Sequence, residues 1–284
     1  MPPSVSAVVA THNRAYCLER AIEQIAAQTL QPTEILVVND CSIDGTTEIL
    51  RSCKARFPAV HPIHLSSNVG PGSARNLAIR EANGEYIAIF DDDDSYPDSR
   101  LEQQVSALAL SPGADLCFGL VEWVNDRDES STVFPGLLRR GAFPSDPQDV
   151  FRLLLFESNK IPNQSVVARR ALFLKHGYAE DVRVGEDWYA FMTMAAHGSF
   201  FVGLQVVLAS VDRSSGRTGL MTDKVRAFRD QRNVLRRVFR EQGVPTLVRR
   251  RAMSNQLIRE ARHFLQSSSR RKGAMLLLRA CALF

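Results

Sequence analysis

The apolar run Tyr86-Ile87-Ala88-Ile89-Phe90 passes without a break into four aspartates, Asp91 to Asp94, and this junction constrains the fold more than any other stretch of the chain. Five apolar residues in a row, with no polar alternation, predict a strand buried on both faces, as in a parallel sheet covered by helices. Such a strand delivers its last residues to the mouth of the sheet. Carboxylates gathered there repel one another unless a cation or a network of donors neutralises them. The simplest compensating partner is a divalent metal carrying a phosphate ligand.

The neighbouring segments alternate in the same sense. Residues 5–10 read as a strand, 16–27 as a helix with Leu18, Ile22 and Ile25 on one face, and 34–38 as a second strand. Asp44-Gly45-Thr46-Thr47-Glu48 supplies helix-start chemistry for a helix to about Lys54. A third strand over 61–65, a helix over 72–82 and an Asn83-Gly84 turn lead back to the aspartate strand. Right-handed crossovers turn this order into a Rossmann-like α/β fold, a mostly parallel sheet with helices on both faces, and ligands belong at the carboxyl ends of its strands. Each of those ends is polar: Thr11-His12-Asn13-Arg14, Asn39-Asp40-Cys41-Ser42, Ser66-Ser67-Asn68-Val69-Gly70 and the aspartates. Singly these are ordinary turn residues. Together, after successive strands, they point to one crevice.

Composition excludes several classes. With 284 residues, 45% hydrophobic and 23% charged, the chain is long enough for one large domain plus an appendage. Cys17, Cys41, Cys53, Cys117 and Cys281 are odd in number and lack paired short spacings, so neither a disulfide framework nor a zinc site is expected, and a cytoplasmic setting fits. Met1-Pro2-Pro3-Ser4 lacks the form of a signal peptide. Residues 190–211 are long and apolar enough to span a bilayer, but His197-Gly198 reads as a helix end and 200–211 as a buried strand. The net charge of +4 hides an asymmetry: residues 213–284 hold 18 Lys+Arg against 4 Asp+Glu, and residues 1–212 hold 17 against 27.

The segments Val5-Ser-Ala-Val-Val-Ala-Thr-His-Asn-Arg14, Glu34-Ile-Leu-Val-Val-Asn-Asp-Cys-Ser-Ile-Asp-Gly-Thr46, Asn68-Val-Gly70, Ala74-Arg-Asn76 and Gly84 through Asp94 together resemble family 2 glycosyltransferases of GT-A fold. The likeness is strong over about residues 4–105 and weaker to about 215. It implies inverting transfer of a sugar from a nucleotide-sugar, a UDP-sugar first among candidates, to a hydroxyl acceptor, with Mg²⁺ or Mn²⁺. It also implies a catalytic domain over 1–215, with a nucleotide-binding half (1–105) and an acceptor half (106–215), followed by a basic helical region over 216–284.

Carried over by position, Thr11, Asn13, Arg14, Asn68 and Arg75 resemble residues around the nucleotide, and Asp40 resembles the carboxylate that accepts from the base ring. The family's Asp-Asp-Gly-Ser is here Asn39-Asp40-Cys41-Ser42, without the first carboxylate and the glycine. In the aspartate cluster, Asp91 and Asp92 are assigned to the nucleotide-sugar and Asp91 and Asp93 to the metal; alternation along an extended strand would put Asp91 and Asp93 on one face, and Asp92 with Asp94 is an equally legal register. Arg75 and Asn76, after Gly70-Pro71-Gly72, could reach phosphates from a helix N-terminus, or Arg75 could pair with an aspartate.

In Gly185-Glu186-Asp187-Trp188, Asp187 falls where the family's catalytic base sits, with Glu186 as the fallback; the competing role for Asp187 is helix capping. Trp188, Asn163 and Gln164 are candidate acceptor contacts, against plain core and turn roles. Relatives carry a histidine near Val211-Asp212-Arg213, and this chain has none there, leaving Asp212 and Arg213 for that contact. The basic region either docks on anionic lipid at the inner face of the membrane, near a saccharide or lipid-linked saccharide acceptor, or packs on the catalytic domain with a solvated arginine face. Nucleic-acid binding is not expected, since no aromatic residues interleave the arginines. A sugar nucleotidyltransferase would need a Gly-rich phosphate loop after the first strand; a noncatalytic nucleotide-sugar- or sugar-binding scaffold would not need the aspartates and Asp187 together.

Overall fold

All of β2 (Glu34–Asn39) is buried, as are β1 (Val5–Thr11) apart from Ala10 and β4 (Tyr86–Asp91) apart from Asp91. Their side chains divide with the two-residue period of a strand. Val8, Leu36, Val38, Ile87 and Ile89 enter one core, and Ala7, Val9, Ile35, Val37, Ala88 and Phe90 enter another on the opposite face. Both faces lie inside, so the sequence shows no polar alternation. The structure is a computed structural model describing residues 3–125, 130–135, 138, 141, 143–212, 223–267 and 269–283.

Helices α1 (Leu18–Ala26), α2 (Thr46–Arg56) and α4 (Arg100–Leu110) close the second core. On the first lie α3 (Pro71–Glu81), α5 (Pro147–Glu157), the short α6 (Arg170–Lys175) and α7 (Glu186–Ala196). The sheet continues through β3 (Val60–His64), β5 (Ala114–Asn125), β6 (Ser130–Phe134), β7 (Val167–Arg169) and β8 (Phe200–Asp212) in the order β3-β2-β1-β4-β7-β5-β6, with β8 beside β5. Pairs β1–β2, β1–β4, β2–β3 and β5–β8 are parallel; β7 runs antiparallel to β4 and β5, and β6 antiparallel to β5. Pro62 lies in β3, an edge strand, where its missing amide has an open side to face. The mostly parallel sheet with helices on both faces is the architecture expected from the sequence.

Two expectations are corrected, and one of two alternatives for the C-terminal region, packing on the main body, is found. Helix α1 opens at Leu18 rather than residue 16, and Tyr16 stands 63% exposed ahead of it. β8 is only partly buried, because after Val202 it carries a stretch of half-exposed and exposed residues beside β5. The helical C-terminal region, α8 (Lys224–Glu241), α9 (Thr246–Gln266) and α10 (Arg270–Cys281), is continuous with the main body: Val234, Leu235, Val238 and Phe239 of α8 and Ala252 of α9 belong to the first core. Leu257, Ala261, Phe264, Leu276 and Ala280 form a smaller cluster between α9 and α10. Among the described residues no helix is long and apolar enough to cross a membrane. The 190–211 segment divides as expected, with α7 ending before Gly198 at φ 85° and β8 following.

Candidate active site

The strand ends meet at one level, Thr11 in register with Asn39, Asn39 with His64, and Ala10 with Asp91. A cavity of about 630 Å³ opens over them. Its wall gathers Thr11, Asn13, Arg14, Asp40, Asn68, Arg75, Asp91, Asp92 and Asp93. Registered parallel pairing brings these distant residues together, since it aligns the carboxyl ends of strands joined by crossovers.

β4 ends at Asp91, and Asp92 and Asp93 lie in a turn. Strand alternation therefore does not carry through Asp93; the turn itself aims three consecutive carboxylates at the cavity. Asp94 is buried and does not line it, so Asp92 and Asp94 are not presented as a pair. Tyr96 pins the tip, its hydroxyl accepting from the Asp91 amide at 2.7 Å and donating to the Asp91 carbonyl at 3.1 Å. Arg14 balances the turn, with Nε 3.6 Å from Asp92 and Nη2 3.7 Å from Asp93. Burial pushes the Asp92 carboxyl up to about 7; the Thr11 hydroxyl and Arg14 oppose the shift, and Asp93 and Asp91 add to it.

Asp40 holds the loop before α3. Its Oδ1 accepts from the Val69 amide at 2.7 Å and its Oδ2 from the Gly70 amide at 2.8 Å, while Gly70, at φ 89°, ends that loop in a backbone region few side chains tolerate. Each carboxylate oxygen keeps a further lone pair for a ligand. Asn39 closes its turn by accepting from the Ser42 amide at 3.0 Å and donating to Thr47 Oγ1 at 3.2 Å. Cys41 sits at φ 58°, which accounts for the glycine of the family pattern at this position.

The carboxylate pair of α7 lies behind the cavity wall. Arg75 joins the two groups, with Nη2 2.8 Å from Asp91 and Nη1 3.0 Å from Glu186. Burial works against the Arg75 charge, but Asp91 and Glu186 outweigh it and hold its proton affinity above the ordinary value. Asp187 Oδ2 accepts from Asn159 Nδ2 at 2.8 Å and Oδ1 from the Trp188 amide at 2.7 Å. Burial raises the proton affinity of both Glu186 and Asp187. Close packing fixes the arrangement: a Cβ on Gly72 would stand 2.5 Å from the Ala179 carbonyl and 3.2 Å from Glu186.

Other expected contacts fall elsewhere. Trp188 is 2% exposed and donates its indole N–H to the Leu154 carbonyl at 3.0 Å, so it is core and no platform for an acceptor. Asn163, in a 3₁₀ turn with Gln164, accepts from the Tyr178 hydroxyl at 2.8 Å, and neither residue lines the cavity. Asn76 clips α3 to the loop between α6 and α7 by donating to the Tyr178 carbonyl at 2.9 Å and Glu180 Oε1 at 2.8 Å, leaving no amide hydrogen for phosphate. Arg213 lies outside the described residues. The structure adds Arg183 and Arg226 to the wall. Arg183 grips Asn68, and Arg226 sits in the first turn of α8, which Asp223 caps at 3.0 Å. Only tertiary packing brings them here, and no local spacing announced them.

The wall suits a polyanionic ligand with its metal. Four guanidinium groups, Arg14, Arg75, Arg183 and Arg226, face three strand-tip carboxylates, and among the described residues Arg75 Nε is buried without a hydrogen-bond partner. Among the described residues no three His, Cys, Asp or Glu side chains form a ready metal cage. Mg²⁺ and Mn²⁺ need none in such a site, since one or two carboxylates with phosphate oxygens and water complete their shell.

The sequence pattern of glycosyl transferase family 2 matches residues 6–151. An uncharacterized glycosyltransferase, YwdF of Bacillus subtilis (strain 168), is 31% identical over 194 residues, 67% of this chain and 68% of that protein. The succinoglycan biosynthesis protein ExoO of Rhizobium meliloti (strain 1021) is 30% identical over 210 residues, 69% of this chain and 57% of its own length. Of an uncharacterized glycosyltransferase of Rickettsia felis, the chain spans only 34%. Among solved structures, S. aureus TarS 1-349 in complex with UDP-GlcNAc superposes with a TM-score of 0.71 at 16% identity, covering 98% of this chain and 79% of that one. The mannosyltransferase PcManGT from Pyrobaculum calidifontis, in complex with GDP-Man and Mn²⁺, gives 0.61 at 20% identity, covering 100% and 81%. At these identities the structures establish the fold, GT-A. The family pattern over half the chain, and YwdF over two thirds of both proteins, establish the kinship: the chain belongs to glycosyl transferase family 2.

Proposed function

We propose that the protein is a metal-dependent, inverting glycosyltransferase that moves a sugar from a nucleoside-diphosphate sugar, a UDP-sugar first among candidates, to a hydroxyl of a saccharide or lipid-linked saccharide in cell-surface polysaccharide or glycolipid assembly. One observation carries this reading: Arg75 ties the acidic strand tip at Asp91 to Glu186, which opens α7 next to Asp187. Donor-side and acceptor-side carboxylates are thereby held one guanidinium apart, as in-line displacement requires of a leaving group and a base on opposite faces of a sugar. UDP-GlcNAc in TarS and succinoglycan synthesis by ExoO support the donor and product classes.

In this reading Arg14, Arg183 and Arg226 orient the diphosphate with planar charged forks. Thr11, Asn13, Asp40 and Asn68 serve the nucleoside. Asp91 and Asp93 would hold a Mg²⁺ or Mn²⁺ that offsets the negative charge of the leaving diphosphate. Asp187 takes the acceptor proton; its raised affinity suits a general base, and Asn159 fixes its orientation. Glu186 positions Arg75.

The test is release of nucleoside diphosphate from a panel of nucleotide-sugars, with Mn²⁺ and with chelator. Turnover of one donor that chelator stops, and that Asp187→Asn lowers at least about 100-fold while donor binding survives, is the expected result. Normal turnover by Asp187→Asn removes the assigned base. A folded protein that binds and turns over no donor is a scaffold.

A further inference from the structure

Away from the donor cavity, a concavity of about 520 Å³ opens among α8, α9 and α10. Phe228, Leu257 and Phe264 line it with apolar surface, and Arg236, Lys272 and Arg279 add cations. The charge there is poorly compensated. Glu260, the one acid of the concavity, is 2% exposed and engages Arg232. Lys272 Nζ stands 4.1 Å over the Phe264 ring. Among the described residues Arg236 bonds only Asn233, and Arg279 has no hydrogen-bond or ion-pair partner. Large apolar side chains share this surface: Val225 is 56% exposed, Met275 55% and Leu278 73%. Solvated surface helices show cations without such neighbours; exposed apolar residues beside unpaired cations are what an anionic interface stabilises.

We propose that this concavity and the surrounding faces of α8 and α10 dock on an anionic bilayer, with phospholipid phosphates on Arg236, Lys272 and Arg279 and Met275 and Leu278 reaching the acyl boundary. Helix α8 connects this surface to the active site. Its first turn puts Arg226 in the donor-cavity wall, while Val225 and Phe228, on either side of Arg226 in sequence, line the concavity. Docking would hold the cavity beside the bilayer, where a lipid-linked acceptor is found. Lipid rather than nucleic acid is favoured because the exposed apolar residues, Val225, Met275 and Leu278, are aliphatic, while Phe264 is buried and Phe228 only partly exposed, which leaves no open stacking platform. The docking surface shares no catalytic residue, so it stands or falls independently of the donor reading.

The test uses the full chain and vesicles of phosphatidylcholine, with and without about one third phosphatidylglycerol, read by co-sedimentation. Wild-type protein is expected to sediment with the anionic vesicles alone. Arg236→Glu with Arg279→Glu should lower partitioning at least about 25-fold, about fivefold for each cation removed from a charged surface. Leu278→Gln, which keeps the charge, should lower it severalfold, and all variants should keep the wild-type melting temperature and nucleoside-diphosphate release. Equal sedimentation of wild type and variants overturns the proposal, as does a folded wild type that stays in the supernatant. Capture of an RNA oligonucleotide through Arg236 and Arg279, without vesicle binding, would assign the surface to nucleic acid and overturn it too.

Discussion

Asp92 shows what a residue gives up to line the cavity. It is 7% exposed, flanked by two other carboxylates, and opposed to them stand only the Thr11 hydroxyl and a loose pair with Arg14 among the described residues. Its proton affinity is raised, so the folded state favours the neutral form. The corresponding stability is fully present below the ordinary carboxylate range and is lost as pH climbs toward about 7. In metal-free buffer, Asp92→Asn should therefore be more stable than wild type at pH 8, by a few kcal/mol, on the order of 4 for a shift of this size, and the gap should close near pH 4. Melting temperature against pH reads this directly, and a gap that widens on acidification would contradict it. Cys41 is a second local concession, a side chain in left-handed backbone where the family pattern places glycine.

At the scale of elements, the site depends on three pieces meeting: the tip of β4, the first turns of α3 and the start of α7. Arg75 is the shared contact, and Gly72 permits the approach. Arg75→Met keeps the packing volume and leaves Asp91 and Glu186 facing each other without a cation. A loss of about 3 kcal/mol in urea unfolding at pH 7.5 is expected, shrinking at pH 5 as Glu186, whose proton affinity burial raises, takes up a proton. An unchanged midpoint would mean that the helices hold each other without the bridge. The strands and the helix ends were readable in the sequence, because apolar runs and turn residues act locally. The bridge was one of two roles open to Arg75, because whether a guanidinium meets phosphate or carboxylate depends on what is folded against it.

Over the whole molecule, four cations drawn from β1's loop, α3, the loop before α7 and α8 converge on one acidic edge. A ligand engaging all of them should stabilise every element at once. UDP or GDP with Mn²⁺ at about 100 times its dissociation constant adds about 2.7 kcal/mol, which for a chain of this size raises the melting temperature by roughly 5–10 °C. The matching nucleoside monophosphate should give less than half that shift; an equal shift would show that the cations do not read the diphosphate. Local sequence alone determined the parallel strands β1 to β4, their polar carboxyl ends and the acidic tip, since hydrophobic periodicity and crossover handedness leave few alternatives; GT-A followed from the family resemblance. It also indicated Asp187, through position in a familiar pattern. Tertiary structure alone decided that Trp188 and Asn163 are inward-facing, that Arg183 and Arg226 belong to the cavity, and that α8 is built into the core while Arg279 of α10 finds no hydrogen-bond or ion-pair partner among the described residues. Burial and charge pairing are properties of neighbours distant in sequence, and only the folded chain sets which neighbours those are.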